Sequence, residues 1–182
     1  RTPLQIATCL GNLELVELLA LREEIDVNEQ DDDGNTALTI AVLNEFVNIV
    51  KLLTSLNEIN PNLADKKGWS PLAIAAGNNY VEIMSILIDN SKTKVNCKTL
   101  DEGATPLMIA VDTNNFGAFK KLLTRDDINV NEISKNGKTA ISIAIEKQHD
   151  DAGFELLNMN CKILDPKSVH EPIIEALNRK SE

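Results

Sequence analysis

The chain of 182 residues is 43% apolar and 25% charged, which suits a soluble domain with one continuous core; with only 3% aromatic residues, that core must be built from Leu, Ile, Val and Ala. A formal net charge of -10 argues against a nucleic-acid partner, because phosphate binding needs clustered Lys and Arg, and against docking on an anionic membrane. No apolar run approaches the roughly 20 residues of a bilayer span, and the start does not resemble a signal peptide.

Along the chain, the first predicted element is a short helix entered through Thr2-Pro3. The Thr hydroxyl accepts from an orphan backbone N–H of the first turn, and Pro occupies the first helical position, where no N–H is missed. Ala7 follows five residues after Thr2; having nothing beyond Cβ, it lets a neighbouring helix approach closely. A second apolar-periodic segment with Leu15, Val16, Leu18 and Leu19 predicts a second helix after a polar turn. The stretch from Asp26 to Asn35 is rich in Asx and places Gly34 where a positive φ is needed, which predicts a projecting hairpin-like loop.

The same unit then recurs. Gly34, Gly68, Gly103 and Gly137 each precede a Thr or Ser by two residues, at intervals of 34, 35 and 34. Leu4, Leu38, Leu72, Leu107 and Ile141 keep the beat, as do Ala7, Ala41, Ala75, Ala110 and Ala144. Leu19, Leu53, Leu87, Leu122 and Leu156 form a third register, and Asn28, Asn62, Asn96 and Asn131 a fourth. Asn96 to Gly103 spans 7 residues where the other three such spans are 6, so the one inserted residue lies within 97–102, in a predicted loop. Helices of about eight residues are unstable alone, so each pair must bury its apolar face on the next pair.

Motifs for chemistry fail on inspection. Gly137-Lys138-Thr139 imitates the end of a phosphate-binding loop, but Glu132 stands where that loop needs its first Gly. Asp31-Asp32-Asp33-Gly34 resembles a calcium loop, yet its last carboxylate would have to be Ile40, so a solvated hairpin tip is the better reading. His149 aligns with Asn12, Phe46, Tyr80 and Asn115 in the turn between helices, and its distance from His170 suits neither a metal pair nor a triad. Cys9, Cys97 and Cys161 are too few and too scattered for a disulfide framework, which fits a reducing compartment. No catalytic residue, metal ligand or cofactor site is predicted, and the chain does not read as an enzyme.

TPLQIA, TALTIA, SPLAIA, TPLMIA and TAISIA each resemble the T-P-L-H-x-A signature of ankyrin repeats, and IDVN (25–28) and INVN (128–131) are similar to that family's closing segment. The signature His never occurs, Ala37 and Ala140 replace Pro, and the Gly between helices survives only as Gly11. The resemblance implies an all-α solenoid of helix-turn-helix units with β-hairpin-like loops. Its units would span 1–31, 32–65, 66–100, 101–134 and 135–164, with a C-terminal cap or partial sixth unit over 165–182, in a piece of a longer chain. It also places the asparagine register at a position that can be hydroxylated in animal ankyrin repeats.

What the family resemblance implies for function is a module that binds another protein, as a monomer, inside the cell and most simply in the cytoplasm, with the nucleus left open. The alternatives are the substrate-recruiting or targeting part of a larger enzyme or secreted effector, or a spacer. Partner contacts would fall on the concave face. On the hairpin tips these are Asp33, Asn35, Lys66, Lys67, Trp69, Glu102 and Lys138, and on the exposed side of the first helices Leu43, Asn44, Asn78 and Asp112. Acidic and basic tips alternate along the stack. Trp69 is the sharpest candidate, being a lone Trp on a tip that would project, unless it folds back on the neighbouring hairpin; Phe46 and Tyr80 add apolar surface in the turn row.

Overall fold

A computed structural model of the chain describes residues 1–159. The expected cap over 165–182, with Cys161 and His170, lies outside the described residues. Five helix pairs form: α1 (Pro3–Cys9) with α2 (Leu13–Ala20), α3 (Ala37–Leu43) with α4 (Val47–Thr54), α5 (Pro71–Gly77) with α6 (Val81–Asp89), α7 (Pro106–Asp112) with α8 (Phe116–Leu122), and α9 (Ala140–Glu146) with α10 (Asp150–Asn158). The first helices α1, α3, α5, α7 and α9 pack side by side in one row, and α2, α4, α6 and α8 in a second. Among the described residues there is no strand, so the class is all-α.

Every first helix starts as its sequence dictates. Thr2, Thr36, Ser70, Thr105 and Thr139 sit in extended backbone and accept from the N–H groups of Gln5, Thr39, Ala73, Met108 and Ser142. Each such cap is worth about 1 kcal/mol. Pro3, Pro71 and Pro106 stand at the first helical turn. The five aligned alanines are fully buried, and so are Leu4, Leu38, Leu72, Leu107 and Ile141 beside them. Small side chains at that register let adjacent first helices close on one another, which is what continues the core from pair to pair. Ile6 is 50% exposed, whereas its counterparts Ile40, Ile74, Ile109 and Ile143 are at 8% or less, because each of the latter has a preceding pair against it.

The turns between helices keep one geometry without keeping glycine. Gly11, Glu45, Asn79, Asn114 and Gln148 all take φ between 55° and 66°. Asn tolerates this region through its short polar side chain, while at Glu45 and Gln148 the left-handed backbone costs about 1–2 kcal/mol that packing must offset. The residues that follow, Asn12, Phe46, Tyr80, Asn115 and His149, stand at the N-cap position of the second helices, and of these only Asn12 caps with its side chain, accepting from Leu15 N–H. His149 also reaches back, its Nδ1 lying 2.8 Å from the Val111 carbonyl.

Two sets of hydrogen bonds stitch the units together outside the helices. Neighbouring hairpins are joined where Lys66 N–H donates to the Asp33 carbonyl (2.9 Å), Leu100 N–H to Lys67 (2.8 Å) and Lys135 N–H to Glu102 (2.8 Å). The asparagine register does the same at the far end. Asn28 donates to the Glu58 carbonyl and accepts from Asn60 N–H, Asn62 pairs likewise with Lys92 and Lys94, and Asn96 with Asp127 and Asn129.

Candidate partner-binding groove

Each hairpin is closed by the side chain that begins it. The Asp65 carboxylate accepts from Lys67 N–H (2.9 Å) and Trp69 N–H (2.8 Å), and Asp31 binds Asp33 and Asn35 in the same way. In the next hairpin Thr99 takes this role, with its hydroxyl accepting from Ala104 N–H, and in the one after it Ser134 does so toward Lys138. The inserted residue shows in the ladder. Asp31, Asp65 and Ser134 each bond across four residues, to Asn35, Trp69 and Lys138, whereas Thr99 N–H must reach Ala104, five residues on. The tip closed by Thr99 is therefore the longer one and carries Asp101 and Glu102 at its exposed end.

Trp69 does not project from its tip. It is half-buried and packed against the core, and the reason lies in α5. At the register where the other first helices carry Cys9, Leu43, Asp112 and Glu146, the third unit has Gly77. A Cβ built there would lie 3.6 Å from Trp69 Cζ3 and 3.3 Å from Ile109 Cγ2. The indole stands against the bare backbone at Gly77, where a longer side chain would meet it, and lines the groove with Met108 and Ile109.

Beside it opens a cavity of about 460 Å³. Its apolar floor is Trp69, Ala104, Met108, Ile109 and Ile143; its walls are Thr99, Asp101 and Glu102 on one side and Ser134, Asn136, Lys138 and Lys147 on the other, with Asp112 and Thr113 at the end of α7. Two ion pairs brace the wall of the fifth unit: Lys138 to Glu146 at 2.6 Å and Lys147 to Asp112 at 2.8 Å. The hydrogen bond from Lys138 to Glu146 holds the lysine's pKa above its ordinary value. Asp101 is shifted the other way: the Glu102 backbone N–H and the Thr99 hydroxyl stabilise its carboxylate, with Lys135 nearby, so it stays ionised below the usual aspartate range.

Of the residues expected at a contact, this cavity brings together Trp69, Glu102, Asp112 and Lys138. Asp33, Lys66 and Lys67 are exposed on the two earlier tips, with Asn35 half-buried, and Leu43, Asn44 and Asn78 are exposed at the ends of α3 and α5. Phe46 and Tyr80 are elsewhere. Both are half-buried in the interhelical turns, Phe46 facing Gly11, where a Cβ would meet its ring at 3.1 Å, and neither reaches the Trp69 cavity. Met108, Ile109 and Ile143 were not expected in the groove, since helical periodicity assigns them to the core. All three are core residues as well, at 8% exposure or less, so nothing in their spacing marks them as cavity lining. Among the described residues no cluster of His, Cys, Asp and Glu could hold a metal, and no helix is long and apolar enough to cross a membrane.

Paired short helices in two rows, joined by hairpins and floored by a shared groove, define a helical repeat solenoid. The family model for ankyrin repeats matches in three overlapping copies, over residues 4–99, 46–133 and 91–167, and the chain belongs to that family. Among solved structures, the ankyrin repeat domain of Bcl-3, described as a unique member of the IkappaB protein family, superposes with a TM-score of 0.80 at 22% identity. That match covers 90% of this chain and 73% of the other, a likeness of fold. No curated protein matches the sequence significantly.

Proposed function

We propose that this ankyrin repeat array is a non-catalytic module that holds a partner protein in its concave groove, centred on the cavity beside Trp69. The observation that carries this reading is a convergence. A periodic sequence builds a uniform groove, and three departures from the period meet at one place: the Trp at position 69, the missing side chain at Gly77, and the extra residue in the 99–103 loop. Large aromatic surface in a well-formed depression, ringed by polar groups, is the composition of an interface hot spot. Cys9 and Cys97 are free thiols, which suits a protein working in the reducing cytoplasm.

The test is positional. A photo-crosslinking side chain at Glu102, on the groove wall, is compared in the native cell with one at Glu14, on the exposed side of α2. A discrete protein adduct at the groove position, weakened by Trp69→Ala, is the expected result. Adducts at Glu14 alone, or adducts indifferent to Trp69→Ala, overturn the assignment.

A further inference from the structure

We infer that the segment seated beside Trp69 is a stretch of the partner in which a bulky apolar side chain stands next to a lysine or arginine. This rests on the concave-face reading above and adds the chemistry of what is held. The apolar half of the statement follows from the floor: Trp69, Met108, Ile109 and Ile143 offer no hydrogen-bonding side chain except the indole N–H, and the cavity of about 460 Å³ is large enough for a leucine or an aromatic ring.

The basic half follows from how the rim is neutralised. The lysines on the fifth unit's wall are already paired, Lys138 with Glu146 and Lys147 with Asp112, so neither offers a free cation to an acidic ligand. On the opposite wall, Asp101 and Glu102 belong to none of the ion pairs formed by the described residues. Lys135 sits behind that wall, its ammonium turned onto the Leu100 carbonyl. The groove therefore presents two carboxylates outside any close ion pair on one side of an apolar seat, with Lys135 and Lys138 acting on them only at longer range, and an incoming acidic residue would meet like charge while a basic one meets its complement. Asp101 keeps this character under mild acid, because its carboxylate is stabilised by the Glu102 N–H and the Thr99 hydroxyl.

The experiment uses the whole chain, a phage-displayed library of random 12-residue peptides, and intrinsic fluorescence, for which Trp69 is the only tryptophan. Selected peptides are expected to share an apolar residue beside Lys or Arg, and to change Trp69 emission on titration. Their affinity should fall tenfold or more with Glu102→Lys or Asp101→Lys. Exchanging the peptide's Arg for Glu should restore binding to Glu102→Lys, and this swap keeps the result independent of any loss of folding. An acidic consensus, or an apolar one indifferent to both reversals, overturns the stated chemistry and leaves the groove reading standing. A library that yields no binder, or binders that leave Trp69 emission unchanged, overturns the groove reading itself.

Discussion

Replacing Gly77 by leucine, the residue that α3 carries at the same register as Leu43, should separate binding from folding. The Cβ alone would stand 3.3 Å from Ile109 Cγ2 and 3.6 Å from Trp69 Cζ3, which is tight against the first and ordinary contact with the second. Gly77→Ala therefore leaves the indole in place but requires Ile109 to give way slightly. The three further carbons of leucine need space the indole now holds, so Gly77→Leu turns Trp69 toward solvent. Leaving glycine at a helix end returns up to about 1 kcal/mol of helix propensity, and losing the half-burial of the indole costs about 1–2 kcal/mol, so net stability stays within about 1 kcal/mol of the parent. Loss of a central aromatic anchor costs about 2 kcal/mol or more in binding, roughly a factor of 30. Urea denaturation, emission maximum and peptide titration read the three quantities on one sample. A red-shifted indole with unchanged affinity would refute the reasoning, since Trp69 would then be a packing residue only.

Other consequences concern what holds the groove in shape. Gly68 and Gly137 share a left-handed backbone, at φ +82° and +74°, but a Cβ on Gly68 would fall 2.4 Å from Leu100 N whereas one on Gly137 meets nothing within 4 Å. Gly137→Ala should cost about 1–2 kcal/mol from backbone strain, and Gly68→Ala a further 1–3 kcal/mol, roughly, for displacing the next hairpin; equal urea midpoints would disprove that hairpin contact. Asn62→Ala removes the bonds to the Lys92 carbonyl and Lys94 N–H and should cost about 1–3 kcal/mol, with faster hydrogen exchange at Lys94; unchanged exchange there would contradict the role given to the asparagine row. Lys98, hydrogen-bonded to Glu132 at 2.7 Å, lowers the pKa of that carboxyl. A lowered folded-state pKa adds stability at neutral pH that is lost as pH falls through it. Wild type should therefore exceed Glu132→Gln by about 1 kcal/mol or less at pH 7, with the gap closing in acid; a gap that persists at about pH 2 would rule this out.

How much of this was legible in the sequence depends on which residues repeat. Those on the beat were readable because one physical demand recurs: a Thr or Ser to cap, an Ala to let helices close, a Leu to fill the seam, a Gly to turn the hairpin. The caps, alanines and hairpin glycines sit as expected, whereas in the first unit Leu19 is only half-buried and Leu15 and Leu18 are exposed, because no pair precedes α2. The inserted residue was also locatable, from the spacing of Asn96 and Gly103. The indole's position was not, because it depends on a relation between two departures. Trp69 alone reads as a projecting tip, and Gly77 alone as an ordinary small residue at a helix end. Only the contact between them brings the ring down onto the floor. Phe46 erred in the opposite direction: as an aromatic in a turn row it suggested exposed surface, yet its ring covers Gly11 between the first two units.

That contrast bears on where specificity in such an array is written. Residues obeying the period are constrained by their neighbours above and below, so they carry the same duty in every unit and cannot distinguish one ligand from another. A position is free to choose a ligand only where the period lapses without breaking the stack. Gly77 meets that condition since Trp69 fills its place, and the longer 99–103 loop meets it since Lys135 N–H still reaches the Glu102 carbonyl at 2.8 Å. The lapses are compensated within the fold, so selection on the groove can proceed there without loss of the solenoid, and the carboxylates of Asp101 and Glu102, which join no close ion pair, are what remains for a partner to satisfy.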